Sequence, residues 1–227
     1  MTLKKFLMVA VVAALFVACG DDGSSNPVSN FNVGSMVDER DGQIYKTVKI
    51  GDQVWMAENL NYETENSFSQ PNRAKYGRYY LWSTAMDSAG MWSMNGKDCG
   101  NEIECSPAYP VRGVCPEGWH LPDTTEWKTL FTAVGGSSTA GKMLKSTSGW
   151  CNSGSGNGTD DYSFAALPAG EYFGGYYGSE CANAYFWSST EFTSSRAYSI
   201  GLSFETGGVY LYNALKYEGY SVRCLKD

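Results

Sequence analysis

Six cysteines (Cys99, Cys105, Cys115, Cys151, Cys181 and Cys224) follow an N-terminal segment that reads as an export signal, and that combination limits the fold more than any other feature. Lys4 and Lys5 give a charged start, and Phe6 to Ala18 forms an apolar run of thirteen residues. A membrane-crossing helix needs about twenty such residues, so the run matches the apolar region of a signal peptide over residues 1–18. An even cysteine count in an exported chain points to disulfides, three of them here, although six cysteines allow fifteen connectivities. Cys99 and Cys105 flank a short polar loop that one bridge can close. Cys115 and Cys224 sit beside the most structured segments, so a bridge between them would stabilise the fold by about 4 kcal/mol or more on the loop-entropy model. Cys151 with Cys181 completes the set. A zinc–thiolate site fits poorly, because there is no Cys-x-x-Cys pair and His120 is the only histidine.

The seventh cysteine has a separate role. Leu15-Phe16-Val17-Ala18-Cys19 resembles a bacterial lipobox, which implies cleavage before Cys19 and lipidation of its thiol and amine. Several acyl chains hold a protein at a membrane where a single chain is marginal. Residues 20–36 are rich in Gly, Ser, Asn and Asp and lack an apolar period, so residues 19–36 read as a lipidated cysteine and its flexible tether. Loss of Lys4 and Lys5 with the signal takes the formal charge from −7 to −9. That charge excludes a nucleic-acid partner, which needs a basic face. The expectation is a lipid-anchored, extracytoplasmic protein of the bacterial cell envelope, on the outer membrane.

One domain is expected over residues 37–227. Residues 43–50 alternate and are β-rich, and Gly51-Asp52 turns them into a second strand at 53–56. Asp123 and Glu126 form a capping-box pattern ahead of Trp127, Leu130, Phe131 and Val134, one apolar helical stripe that Gly135-Gly136 stops. A shorter helix is expected over 139–145. Beyond Gly149, glycine-rich loops separate short strands at 162–167, 184–189, 197–204, 209–212 and 220–225. With one or two helices and many short antiparallel strands joined by long loops, the pattern reads as α+β.

Several residues are candidates for chemistry. Tyr172-Phe173-Gly174-Gly175-Tyr176-Tyr177-Gly178 reads as an aromatic loop, and Tyr172, Tyr176 and Tyr177 with Glu171 and Glu180 are the candidate ligand-binding set. Aromatic faces stack on the apolar faces of sugars, and neighbouring carboxylates bond their hydroxyls. Asn157-Gly158-Thr159-Asp160-Asp161 offers oxygen ligands on a glycine loop, which makes Asp160 and Asp161 candidates for a calcium ion. No other cofactor is called for. The alternative for that loop is a turn whose carboxylates bond their own backbone. Trp55 and Trp187 are expected in the core. His120, at a helix entry, reads as a packed side chain rather than a catalytic one.

Six strings occur in order: Asp41-Gly42-Gln43-Ile44-Tyr45, residues 50–60 (IGDQVWMAENL), residues 115–122 (CPEGWHLP), Leu167-Pro168-Ala169-Gly170, residues 186–190 (FWSST) and Ser221-Val222-Arg223-Cys224. Together they resemble the Fibrobacter succinogenes major paralogous domain, a set of exported bacterial domains often carried on lipoproteins. Motif order also resembles the wider C-type-lectin-like and formylglycine-generating-enzyme fold group, through residues 119–122 with Glu126-Trp127 and through Val222-Arg223-Cys224. That likeness implies a single, disulfide-stabilised, C-type-lectin-like α+β domain. The expected function is a non-catalytic envelope lipoprotein that binds an extracellular ligand such as a polysaccharide. The alternative is a structural or protein–protein module of the envelope. A third reading, a cofactor-dependent oxidase of the formylglycine-generating type, needs free reactive thiols.

Overall fold

The structure, a computed structural model, describes residues 33–152 and 156–227. In chain order, β1 (Val33–Val37), β2 (Ile44–Ile50) and β3 (Gln53–Met56) come first. β4 (Ser67–Phe68), β5 (Tyr79–Leu81), the one-turn α1 (Trp82–Ala85) and β6 (Trp119–His120) lie among long loops. α2 (Thr124–Ala133) and α3 (Ser137–Leu144) precede β7 (Glu171–Phe173), β8 (Tyr176–Gly178), β9 (Asn183–Thr193), β10 (Arg196–Ser203), β11 (Val209–Leu215), β12 (Gly219–Tyr220) and β13 (Leu225–Lys226).

The strands form three antiparallel sheets ordered β1-β2-β3-β13-β6, β11-β10-β9 and β4-β5-β12-β7-β8. The last stretch of chain joins all three. Gly219 pairs with Leu81 and Tyr172 in one sheet, Ser221 bridges Phe186 in the second, and Leu225 pairs with Trp55 and His120 in the third.

This corrects the fold class. The α+β, C-type-lectin-like expectation gives way to a mostly β domain with thirteen strands among the described residues and three small helices. Apolar stripes of helical period are confined to residues 124–134 and the short stretch 137–144. β9 and β10 instead set buried residues along both faces of a pleat, which suits strands covered on each side. α2 keeps the predicted capping box: the Asp123 carboxylate accepts from the Glu126 amide and the Glu126 carboxylate accepts from the Asp123 amide. Residues 33–36, read as tether, are also corrected. They form β1, which is almost fully exposed and held by five backbone pairs with β2, so no apolar pattern announces it. Residues 162–167 make a loop with one bridge, Lys145 to Ala166, in place of the expected strand. The leader, Cys19 and the tether up to residue 32 lie outside the described residues. No described helix is long and apolar enough to cross a membrane.

Two clusters make the core. One gathers Met56, Trp82, Leu121 and Trp187 around the Cys115–Cys224 bridge. The other packs Trp55 against Trp127 in a tilted pair at 4.6 Å, with Phe164, Phe186, Leu130 and Ile200 around them. An aromatic pair of that kind adds about 0.5–1.5 kcal/mol beyond the area it buries. The disulfides are Cys99–Cys105, Cys115–Cys224 and Cys151–Cys181.

Long loops leave many carbonyls without a ladder, and three buried cations satisfy them. Arg223 donates to Asn59 Oδ1 (2.7 Å) and to the carbonyls of Met56, Phe164 and Ala165 (3.1, 2.6 and 3.0 Å). Lys145 donates to the carbonyls of Ser203 and Thr206, and Lys216 to those of Gly100 and Ile103 and to the Glu191 carboxylate. All three side chains are shielded from solvent. A buried charge survives only when bonded in this way.

Candidate functional site

The segment read as an aromatic loop is a hairpin. Gly174 and Gly175, with φ of 57° and 91°, make the two-residue turn, because a primed turn needs positive φ at both positions. Tyr172 pairs with Tyr177 and Phe173 with Tyr176, so the hairpin has two unlike faces.

One face is structural. Tyr172 stacks on Phe68 at 3.9 Å and 15°, and the Tyr177 hydroxyl donates to the Ser69 carbonyl at 2.7 Å. Glu180 holds Gln70 Nε2 (3.0 Å), the Tyr76 hydroxyl (3.2 Å) and Arg73 (3.1 Å). These three members of the candidate ligand set tie β7–β8 to the segment before β5.

The other face opens to solvent. Tyr176 is 79% exposed and Phe173 half exposed, the latter 5.9 Å from the ring of Tyr217. Beyond them the surface continues onto β9–β11. Tyr185 stacks on Tyr220 at 5.0 Å and 20°, and Tyr220 leans on buried Trp187. Gly201 lies beneath the rings of its neighbours: a Cβ there would stand 2.5 Å from Tyr212 Cε2 and 3.4 Å from Tyr185 Cε1. Only a bare backbone lets both rings lie across β10. Tyr210 follows, 5.8 Å from Tyr212.

Two carboxylates border this surface. Glu171 Oε1 accepts from the Ser179 hydroxyl at 3.1 Å, and Glu218 Oε2 accepts from the Tyr220 hydroxyl at 2.7 Å. Neither forms an ion pair among the described residues. Burial raises the Glu171 pKa above its ordinary value, and the nearby charge of Glu218 adds to the effect. The Tyr185 hydroxyl is pushed up to about 12, chiefly by burial and then by Glu171, Tyr212 and Glu218. Glu171 and Tyr176 are thus the sequence-predicted residues on this face. Tyr185, Tyr210, Tyr212, Tyr217 and Glu218 are additions from the structure. Gly201, an isolated glycine inside a strand pattern, is the sequence signal for them, since such a glycine marks a close approach.

The other candidates resolve differently. Asp160 turns its carboxylate onto the Ala165 amide at 2.7 Å, the self-bonded turn, while Asp161 is exposed. Among the described residues no group of three His, Cys, Asp or Glu side chains is placed to share a metal ion. His120 has Nδ1 on Asp227 Oδ1 at 2.7 Å and Nε2 on Glu126 Oε1 at 2.9 Å, so both ring nitrogens are engaged. All six described cysteines are paired.

No curated protein matches the chain, and no solved structure does. Its residues 48–226 match the family model of the Fibrobacter succinogenes major domain, from β2 through β13, and the chain belongs to that family.

Proposed function

We propose that this chain is a non-catalytic binding module of the bacterial envelope, anchored by lipid on Cys19, that holds a polysaccharide on the aromatic face joining β7–β8 to β9–β11. The observation that carries this reading is Gly201, which lets Tyr185 and Tyr212 lie across β10. An aromatic face presented in this way stacks against the C–H face of a pyranose ring. Glu171 and Glu218, at the border, accept hydrogen bonds from the sugar hydroxyls that point outward. Tyr176, Tyr210, Tyr212 and Tyr217 on this face are exposed, which suits a chain lying across them rather than a small enclosed substrate.

A panel of insoluble polysaccharides, sedimented with the protein, tests the proposal. Saturable retention that Tyr212→Ala and Tyr217→Ala abolish, without loss of thermal stability, is the expected result. Absence of retention across the panel refutes it. One observation favours a protein partner as the second reading: among the described residues β11 is a sheet edge of seven residues that is unpaired on its outer side, with Leu211 exposed. Such an edge accepts an added strand. Crosslinking in intact cells through Leu211→Cys would then capture a protein where the polysaccharides fail.

A further inference from the structure

A cavity of about 630 Å³ lies away from the aromatic face, between β2, the segment after β3, the single 3-10 turn Ala74–Tyr76 and the loop 160–165. We propose that it binds a short zwitterionic peptide, its ammonium group set against Glu58 and its carboxylate against Lys46 and Lys75.

The cavity is built rather than incidental. Arg223 forms part of its lining and is wholly buried, and its guanidinium clamps the carbonyls of Phe164 and Ala165. The loop so clamped holds three non-glycine residues in the left-handed region: Asp160 at 51°, Ser163 at 55° and Ala165 at 51°. All three line the cavity. Backbone kept in that region must be over-determined by its surroundings, and such strain gathers at binding sites. The volume lies within the range of pockets that enclose drug-sized ligands.

Charge selects the ligand class. Lys46, Lys75, Glu58 and Asp160 all line the cavity, yet none forms an ion pair among the described residues. One Glu58 oxygen accepts the Lys46 amide at 2.7 Å, and the Lys75 ammonium lies 4.7 Å over the Tyr76 ring. A purely anionic ligand would face Glu58 and Asp160, and a purely cationic one would face both lysines and Arg223. A neutral ligand would strip water from the half-buried Glu58 and Asp160 carboxylates without replacing it, which is unfavourable. A ligand with an ammonium at one end and a carboxylate at the other pairs with both sets. A peptide backbone between the two ends fills a space of this size.

The test uses the full-length chain and a panel of free dipeptides in which every side chain is represented, with binding read by titration calorimetry. Saturable binding of at least one free dipeptide is expected, weakened about ten-fold or more by N-acetylation and likewise by C-amidation, as for loss of a charged hydrogen bond. In Glu58→Gln, which keeps an acceptor for the Lys46 amide, the free and acetylated forms should bind alike. In the double variant Lys46→Met, Lys75→Met, the free and amidated forms should bind alike. No binding anywhere in the panel at millimolar concentration overturns the proposal. So does equal binding of free and blocked dipeptides to the unaltered protein.

Discussion

Removing the Cys115–Cys224 bridge should destabilise this domain more than removing either of the other two. The bridges span 109, 30 and 6 residues in sequence for Cys115–Cys224, Cys151–Cys181 and Cys99–Cys105. Cross-linking restricts the unfolded chain by an entropy that grows with the logarithm of loop length, which gives about 4.8, 3.6 and 2.2 kcal/mol respectively. Packing acts in the same direction, because Cys115 and Cys224 are both fully buried and their sulfurs fill the cluster around Trp82 and Trp187. Topology adds a further reason. Cys224 lies between Ser221, which bridges the β9 sheet, and β13, which completes the β1 sheet, so the bridge fixes the segment that links the sheets. Against a total stability of about 5–15 kcal/mol for a domain of this kind, the loss is large. Each pair is replaced by two alanines, and the free energy is read from urea unfolding with a common slope. A variant that does not fold unaided is compared with its parent in trimethylamine N-oxide, which strengthens burial. Equal losses for the three variants, or the largest loss at Cys99–Cys105, would refute the loop-entropy reasoning.

Lys216→Met should cost about 3–5 kcal/mol, because it leaves the Glu191 carboxylate and the carbonyls of Gly100 and Ile103 without their shared donor; a urea midpoint equal to the parent's would show that the hub contributes nothing. His120 sets a pH dependence. Burial by itself lowers its pKa, but the hydrogen bonds and charges of Glu126 and Asp227 raise it above the ordinary 6.5. Burial likewise raises the Glu126 pKa, yet the bonds from His120 and the Asp123 amide bring it below 4.5. The His120 contribution is therefore full below pH 6.5 and is lost as pH rises through its raised folded value. The Glu126 contribution is present above pH 4.5 and is lost as pH falls through its depressed one. Melting temperature followed from pH 4 to 9 should fall on the alkaline side in the parent and stay flat there in His120→Gln; parallel curves would remove the linkage. Gly201→Val should displace the Tyr212 and Tyr185 rings and abolish polysaccharide retention, with a lower melting temperature because Tyr185 packs on buried Tyr220, but with the domain still folded. Undiminished retention would take the binding face elsewhere.

The sequence reveals α2 and the β2–β3 hairpin because the signals there are local. A capping box, an apolar stripe and a glycine stop lie within fourteen residues of one another at 123–136, and a strand pattern meets its turn at Gly51-Asp52. β7–β8 is hidden because its composition is that of a loop; only the pairing of Tyr172 with Tyr177 tells a hairpin from a glycine-loosened coil. The aromatic face is hidden for a different reason. Phe173, Tyr185, Tyr212 and Tyr217 come from separate stretches, and their approach depends on a strand register that, apart from the isolated Gly201, no local pattern encodes. Tyr172 and Tyr177 share the composition of Phe173 and Tyr176, yet alternation turns them to the opposite side, where they pack.

The charged residues divide along the same line, and the division bears on function. In a loop-rich β domain the ladders satisfy only part of the backbone, so long cationic side chains are drawn inside to complete the hydrogen bonding. Arg223, Lys145 and Lys216 are consumed in this way, spending most of their donors on carbonyls of loops and strand ends. Composition alone would count them as solvated surface. Glu180 and Asp160, two carboxylates that the sequence marks for ligands, are likewise engaged by their own scaffold, with Arg73, Gln70 and the Ala165 amide. The proposed binding groups are instead ones without an ion pair among the described residues: Glu171 and Glu218 beside stacked rings, and Glu58, Lys46 and Lys75 around a cavity. Side chains already committed to the fold cannot bind a ligand without unfolding the loops they hold, so substitutions at the first set should read out as stability and substitutions at the second as binding.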